Sequence, residues 1–206
     1  MWPLSFEDEV MWVAGVDEAG RGCVAGPVVA AAVILPPESE KIRVADSKRL
    51  TPQQRARSFD ELVSAGAMIG IALEPPEVID RINILQASIR AMHQALQRLP
   101  VRPSKILVDG PYFLPFGHIP HQCIVRGDAS VSAISAASII AKVWRDRLME
   151  RLHYQFPHYQ WLRNKGYPTS AHIEAIRRHG PSPYHRQSFR IKALTPSLFP
   201  ENDPTS

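Results

Sequence analysis

The sequence is poor in cysteine and contains no long apolar run. Its two cysteines among 206 residues, Cys23 and Cys123, are too few for a disulfide framework and show no CxxC spacing. No stretch without charged residues is longer than 16 residues, whereas a membrane-spanning helix needs about 20 apolar ones. The first ten residues hold three acids and no lysine or arginine, which is the wrong charge for a secretory signal. We therefore expect a cytoplasmic protein with reduced cysteines and no membrane contact.

The composition is that of a folded globular protein. Hydrophobic residues make up 45% and charged residues 21% of the chain, and no internal repeat is visible. A length of 206 residues is enough for one domain with its own core. We expect a monomer with a single domain over residues 1–206. Within it, residues from about 152 to 192 are predicted to form a helical C-terminal extension and residues 193–206 a loose tail.

Positive charge is concentrated in the C-terminal part of the chain. Residues 1–120 hold 12 Lys or Arg against 14 Asp or Glu, whereas residues 121–195 hold 12 against four. Such a basic segment favours a polyanionic partner such as nucleic acid. A solvated surface without a partner is the alternative on charge alone.

Apolar patterns predict five strands and four helices. The strands cover residues 10–16, 27–35, 67–73, 105–108 and 122–125. One helix begins after Thr51, and the others cover residues 79–99, 131–154 and 169–179. Thr51 is a good N-cap, because Pro52 follows it and Gln54 lies three residues on. Several strands are adjacent in sequence, so we expect them to pair antiparallel in a mixed α/β domain.

Carboxylates follow two of these strands directly. Asp17 and Glu18 come after an apolar strand, and Asp109 ends another. If they converge at one sheet edge, their oxygens suit Mg²⁺ or Mn²⁺, and two such ions could hold both the attacking and the leaving oxygen of a phosphodiester. The alternative is that turns simply favour aspartate, as the pair Asp109-Gly110 suggests.

The neighbouring acids Asp17 and Glu18 pose a geometric problem, because successive side chains of a regular strand point to opposite faces. Either the strand breaks at Asp17, or Glu18 contributes its main-chain carbonyl. Gly20 and Gly22 make a break plausible, since glycine adopts backbone conformations closed to other residues.

The segment that contains these acids resembles bacterial ribonuclease HII, the type 2 ribonuclease H family. The resemblance recurs in order over residues 13–190: DEAGRG (17–22) with GPVV (26–29), DSKRL (46–50), VDG (108–110), RGD (126–128), ASIIAKV with RD (137–146), KGY (165–167) and GPSP with HR (180–186). It implies a ribonuclease H-like mixed sheet flanked by helices, with a C-terminal helical segment. It also implies metal-dependent endonucleolytic cleavage with Mn²⁺ or Mg²⁺. The substrates would be the RNA strand of RNA–DNA hybrids and single ribonucleotides in duplex DNA, cut to leave 5′-phosphate and 3′-hydroxyl ends.

The resemblance also assigns roles to residues. It implies a catalytic and metal-binding cluster, and a loop with a tyrosine that senses the ribonucleotide. The cluster comprises Asp17, Glu18, Asp109 and Asp128; the sensing group comprises Gly20, Arg21, Gly22 and Tyr167. One departure is Arg126, where the family usually has lysine. The alternative for Tyr167 is a core tyrosine that pins the extension to the sheet.

Other polar residues in these motifs have less specific roles. Ser47 and Lys48 suit phosphate contact, because a hydroxyl and an ammonium donate to phosphate oxygens; a solvated loop is the alternative. Asp146 competes with Asp128 as fourth carboxylate, but its place in a helix between two arginines favours an ion-pair role. Ser138 belongs to a serine repeat that predicts close helix packing and no function.

Four aromatic residues in the C-terminal half are expected to fill the joint between sheet and extension, with base stacking as the alternative; they are Trp144, Phe156, Tyr159 and Trp161.

Two other functions compete with the ribonuclease. A non-catalytic nucleic-acid-binding module would keep the basic segment, but clustered acids weaken binding to a polyanion unless metals neutralise them. A ribonuclease H-like DNA nuclease would share the carboxylates, but it gives no reason for the glycine–arginine–glycine loop or for Tyr167.

Overall fold

The core of the fold is one five-stranded sheet. A computed structural model of the chain describes residues 11–37 and 50–190. The strands are β1 (Val13–Ala19), β2 (Val28–Ile34), β3 (Met68–Glu74), β4 (Lys105–Asp109) and β5 (His121–Ile124). Their order across the sheet is β3-β2-β1-β4-β5. This mixed α/β architecture is the one that the sequence predicts.

Strand direction divides the sheet into two parts. β1, β2 and β3 pair antiparallel, whereas β4 pairs parallel with both β1 and β5. The expectation that neighbouring strands pair antiparallel is therefore confirmed for the first three strands and wrong for β4 and β5. The reason is that residues 110–120 return the chain to the starting edge of β4, which a parallel pair requires.

The described residues form five α-helices: α1 (Pro52–Ser64), α2 (Pro76–Gln97), α3 (Ser132–Gln155), α4 (Trp161–Asn164) and α5 (Ser170–His179). The first three cover the sheet, whereas α4 and α5 pack against the end of α3. The capping box at Thr51 is present as predicted, with Gln54 and Thr51 each accepting the other's main-chain N–H. The short α4 was not predicted. Among the described residues no helix is long and apolar enough to cross a bilayer.

A kink interrupts α2 at Asn83, whose φ is 65°. The carboxamide oxygen of Asn83 accepts the main-chain N–H groups of Leu85 and Gln86 at 3.0 and 3.1 Å. Asn83 therefore begins a second helical segment in the way that an N-cap residue does. The uniform apolar spacing of the predicted helix over 79–99 contains no sign of this kink.

The central strand β2 is buried along its whole length. Ala30 and Ala32 pack in the cluster that α2 covers, whereas Ala31 and Val33 pack in the cluster that α1 and α3 cover. Because successive side chains alternate between faces, a strand with helices on both sides has no polar position. This is why residues 27–35 read as a continuous apolar run.

Helix α3 lies unusually close to β1. A Cβ atom on Gly15 would stand 2.1 Å from the main-chain carbon of Ala133, so only glycine permits this contact. The close approach brings the following turns of α3 beside the C-terminal end of β1. The carboxylates predicted at that end therefore face a helix as well as solvent.

The segment after α3 has its own apolar cluster, in which Tyr159 and Trp161 are buried against Met149 and Leu152. The expected joint between sheet and extension is thus confirmed for these aromatic residues, with Phe156 packed beside them. Trp144 is the exception, since 38% of it is exposed. The division of the chain near residue 152 stays a prediction, and residues 193–206 lie outside the described residues.

Candidate active site

A cavity of about 420 Å³ lies beyond the C-terminal ends of β1 and β4. It is lined by Asp17, Glu18, Ala19, Gly20, Arg21, Gly22, Arg55, Asp109, Ser138, Lys142 and Tyr167. Seven of these eleven residues were predicted as site residues. The structure adds three polar side chains that sequence reasoning missed, which are Arg55, Ser138 and Lys142.

The end of the β1–β4 ladder explains how adjacent acids can share this cavity. β1 pairs with β4 only as far as Val16, so Asp17 and Glu18 extend beyond that partner. β1 nevertheless stays paired with β2 as far as Ala19. A strand break at Asp17, one of the two alternatives, is therefore wrong; the turn begins at Gly20, whose φ is +98°.

Asp17 is the most deeply buried of the cavity's carboxylates, with 5% of the residue exposed. It accepts the main-chain N–H of Glu18 at 2.7 Å and a hydrogen bond from the Ser138 hydroxyl. Burial, followed by the negative charges of Glu18 and Asp109, holds the pKa of Asp17 well above its usual value. Ser138, for which the sequence predicts only close packing, is thus a hydrogen-bond donor to Asp17.

Glu18 and Asp109 complete a crowded group of three acids. Burial raises the pKa of Glu18; Arg21, whose Nη1 lies 3.2 Å from Glu18 Oε1, opposes that rise, and the charge of Asp109 adds to it. Asp109 Oδ1 accepts the main-chain N–H of Gly127 at 2.8 Å. The three carboxylates interact electrostatically across one cavity, as the sequence predicted for a metal site.

Of the other predicted residues the structure describes only Asp128, which lies outside the cavity wall. Asp128 is the middle residue of a single helical turn (Gly127–Ala129), only 2% exposed, and it does not line the cavity. The same turn presents the Gly127 N–H to Asp109 and keeps Asp128 buried. Ser47 and Lys48 lie outside the described residues.

Two cations on neighbouring helices, Lys142 and Arg55, line the cavity together with its acids. Lys142 Nζ of α3 lies 2.8 Å from Asp146 Oδ1, and Arg55 Nη1 of α1 lies 3.9 Å from Asp146 Oδ2. The ion-pair role predicted for Asp146 is confirmed, and its partners line the cavity. The four-residue spacing of Ser138, Lys142 and Asp146 puts them on one face of α3, which is a signal that the sequence analysis did not use.

The loop after β1 is held by its main-chain carbonyls. Arg186 donates to the carbonyl oxygens of Gly20 and Arg21 at 2.7 and 3.0 Å. A Cβ atom on Gly20 would stand 2.0 Å from Nε of the buried Arg145, which explains the glycine. Because the Gly20 and Arg21 carbonyls already accept from arginine, the main-chain N–H groups of the loop are the groups left to contact a sugar or phosphate.

Tyr167 lies at the rim of the cavity, with 44% of the residue exposed. A Cβ atom on Gly22 would stand 3.8 Å from its ring, so the tyrosine and the loop are neighbours. Burial, together with the adjacent Cys23 thiol to which its hydroxyl is hydrogen-bonded, raises the pKa of Tyr167. The alternative of a core tyrosine is wrong, because the ring reaches both solvent and cavity.

The donor set fits a hard divalent cation. Carboxylate oxygens are the ligands that Mg²⁺ and Mn²⁺ prefer, and a cation would relieve the crowding of Asp17, Glu18 and Asp109. Within residues 11–37 and 50–190, no three His, Cys, Asp or Glu side chains already form a complete metal site.

Known proteins resemble this chain in both sequence and fold. A family model described as Ribonuclease HII matches residues 14–192. A ribonuclease HII from Porphyromonas gingivalis is 52% identical over 183 residues, which is 89% of this chain and 91% of that protein.

Solved structures show the same likeness. The crystal structure of the ribonuclease H2 from Pyrococcus horikoshii has a TM-score of 0.73 at 33% identity, covering 87% of this chain and 94% of that one. The ribonuclease HII of Archaeoglobus fulgidus, solved in complex with PCNA, has a TM-score of 0.77 at 26% identity, covering 91% and 98%. A Bst ribonuclease HIII solved with Mn²⁺ shares the fold at 20% identity, with a TM-score of 0.64 over 82% of this chain and 63% of that one.

The crowded acids predict a variant that is more stable than the natural chain when metal is absent. In Asp17→Asn the buried charge is lost while the oxygen that accepts the Glu18 N–H can stay. We expect the Tm in EDTA at neutral pH to rise by ~2–4 °C, which corresponds to ~1 kcal/mol in a chain of this size. Because the raised pKa means that ionising Asp17 opposes folding, the difference should shrink as the pH falls toward the ordinary carboxyl range.

The matched control is Glu174→Gln, which removes an exposed acid paired with Arg177 and should leave the Tm within about 1 °C. Added Mn²⁺ should stabilise the natural chain more than Asp17→Asn. A lower Tm for Asp17→Asn in EDTA would show that the carboxylate stabilises the metal-free fold.

Proposed function

The chain belongs to the ribonuclease HII family and is an endoribonuclease that hydrolyses RNA in RNA–DNA hybrids, and we propose that the cavity beyond β1 and β4 is where it does so. The observation that carries this proposal is the meeting of Asp17, Glu18 and Asp109 in one cavity beside the loop and Tyr167. We further propose cleavage at single ribonucleotides in duplex DNA, with 5′-phosphate and 3′-hydroxyl ends.

Enzymes of this family depend on divalent metal ions. We propose Mn²⁺ or Mg²⁺ as the metal, held by Asp17, Glu18 and Asp109, with Asp128 as a fourth carboxylate beside the Gly127 that binds Asp109. When bound, the ions supply charge stabilisation to the attacking and leaving oxygens of the phosphodiester. The Ser138 hydroxyl holds Asp17 in place, because its hydrogen bond favours the ionised carboxylate.

The cations of the cavity wall suit the phosphates on either side of the scissile bond. Lys142 and Arg55 both pair with Asp146 and line the cavity, so their positive charges lie where substrate phosphates would pass. Phosphate contacts of this kind set position and affinity but carry no sequence information. Ser47 and Lys48 remain proposed phosphate contacts, because a hydroxyl and an ammonium donate to phosphate oxygens.

Recognition of a single ribonucleotide requires contact with its 2′-hydroxyl, the group that distinguishes RNA from DNA at a given position. We propose that the N–H groups of Gly20, Arg21 and Gly22 face the sugar and phosphate. Tyr167 stands beside this loop, where its ring can stack on the neighbouring sugar and its hydroxyl can reach the 2′-oxygen. A monomeric state and a cytoplasmic location remain predictions.

A cleavage assay tests this function against its two competitors. Duplex DNA with none, one or four consecutive ribonucleotides is incubated with and without Mn²⁺. We expect cleavage of the last two substrates, only with metal, at the ribonucleotides. Binding without cleavage would indicate a nucleic-acid-binding module, and cleavage of the all-DNA duplex would indicate a DNA nuclease.

A pair of variants distinguishes Asp128 from Asp146. If Asp128 binds metal, Asp128→Asn should lower kcat at least ~100-fold, the upper range for residues that only support metal ligands. Asp146→Asn should raise KM and lower the Tm while kcat stays within about twofold, because Asp146 acts through Lys142 and Arg55. Measurements of kcat, KM and Tm for both variants test these assignments. A normal kcat in Asp128→Asn at saturating Mn²⁺ would show that Asp128 does not bind the metal.

The proposed role of Tyr167 makes its loss depend on the substrate. Tyr167→Ala should lose ~1–3 kcal/mol, the range for an aromatic stacking contact, or about 5- to 150-fold in kcat/KM on a single embedded ribonucleotide. The loss on a uniform hybrid should be smaller, and the Tm should hardly change because the ring is half exposed.

The matched control is Tyr167→Phe, which keeps the ring and removes only the hydroxyl, so it separates stacking from contact with the 2′-oxygen. An equal loss on both substrates with a large fall in Tm would instead make Tyr167 a packing residue.

A further inference from the structure

A buried chain of hydrogen bonds lies behind Tyr167, away from the cavity. His172 Nε2 is 3.0 Å from Trp161 Nε1 and 3.1 Å from His185 Nε2. His185 Nδ1 is 2.9 Å from the main-chain nitrogen of Ser182. At the other end, His172 Nδ1 is 2.8 Å from the carbonyl oxygen of Tyr167. All three rings are buried, so each polar atom depends on its protein partners.

The donors in this chain permit one protonation pattern. The Ser182 N–H can only donate, so His185 Nδ1 accepts and the proton of His185 is on Nε2. The Trp161 N–H can only donate as well, and it shares His172 Nε2 with His185. Nε2 of His172 is therefore an acceptor, and its proton is on Nδ1, where it donates to the Tyr167 carbonyl.

Both rings are neutral in this pattern. Burial lowers the pKa of His172, and burial together with the neighbouring His172 lowers the pKa of His185 to about 4. A second proton on His172 would place an N–H against the N–H groups of Trp161 and His185.

The backbone just before Tyr167 is also held by hydrogen bonds. Gly166 accepts the Val24 N–H at 2.9 Å, and a Cβ atom there would stand 2.4 Å from the Ala25 oxygen. The Lys165 carbonyl accepts from Arg145 at 2.8 Å. Loop and tyrosine are thus fastened to each other through main-chain atoms. On the side of the extension, the Tyr167 carbonyl accepts the Thr169 N–H at 2.9 Å, and His172 Nδ1 adds the side-chain donor.

We propose that His172 is a positioning residue: through Nδ1 it fixes the backbone of Tyr167 so that the ring meets the sugar of a single embedded ribonucleotide, and Trp161 and His185 lock the tautomer that this contact needs. The proposal rests on the proposed role of Tyr167. A uniform hybrid offers further ribonucleotides as alternative contacts, so the effect of His172 should be specific to the single ribonucleotide.

Two amide variants separate positioning from packing. His172→Asn places an amide N–H where Nδ1 was, so it can still donate to Tyr167, but it leaves Trp161 and His185 without an acceptor. His172→Gln reaches toward the Nε2 position and can accept from those two residues, but it loses the donor to Tyr167. The decisive quantity is the ratio of kcat/KM on a single embedded ribonucleotide to kcat/KM on a uniform hybrid, measured with Mn²⁺.

We expect His172→Gln to lower this ratio about 3- to 10-fold, the effect of one net hydrogen bond, and His172→Asn to keep it within about twofold despite a lower Tm. The control is Asp80→Ala, which frees Gln187 and Ser188 in the same extension without touching Tyr167 and should leave the ratio unchanged. An unchanged ratio in His172→Gln overturns the proposal, and so does an equal fall in both amide variants.

If His172→Asn does not fold, His172→Gln alone decides. Tyr167→Ala measured in parallel distinguishes failure of the role proposed for Tyr167 from failure of the role proposed for His172. If Tyr167→Ala itself leaves the ratio unchanged, the proposed function of Tyr167 fails and this inference fails with it. If Tyr167→Ala lowers the ratio and His172→Gln does not, only the inference fails.

Discussion

Two buried arginines hold the loop after β1, and the rest of the candidate site depends on them. Arg145 donates to the main-chain oxygens of Ala25, Pro27 and Lys165, and Arg186 donates to those of Gly20, Arg21 and Gly26. One guanidinium group comes from α3 and the other from the extension. Each therefore ties a distant part of the chain to the segment between β1 and β2. Main-chain carbonyls are suitable partners because they accept from the planar guanidinium donors without adding a further acid beside the three carboxylates of the cavity.

The two arginines and the acids of the cavity are buried, although charged side chains usually stay in contact with water. Burial and the nearby Arg145 lower the pKa of Arg186 to about 10, which still leaves it charged at neutral pH. Burial raises the pKa of Asp17 and Glu18. The acids lie at the open cavity, where a metal ion and a phosphate can reach them, whereas the arginines lie behind the loop. Binding of metal can thus offset the desolvation cost of the acids, whereas main-chain carbonyls offset that of the arginines.

Helix α3 connects the parts of the site. Its first turn touches β1 at Gly15, Ser138 holds Asp17, Lys142 faces the cavity, and Arg145 holds the loop. Because Ser138, Lys142 and Arg145 follow one another at intervals of four and three residues, one rigid helix sets the distances between the cavity's acids, Lys142 and the loop after β1. The His172 network extends the same support to Tyr167 from the opposite side. Recognition and chemistry are therefore positioned by the same frame.

Local patterns in the sequence determined the strands, most of the helices, the Thr51 cap and the acids at strand ends, because each depends on residues within a few positions of one another. Motif resemblance determined the family and brought Tyr167 into consideration. Only the tertiary structure decided that β4 and β5 run parallel and that Asp128 stays outside the cavity wall. It also decided that Ser138 serves Asp17 and that buried arginines hold the loop. Those features depend on contacts between residues far apart in the chain, whose energies no local pattern contains.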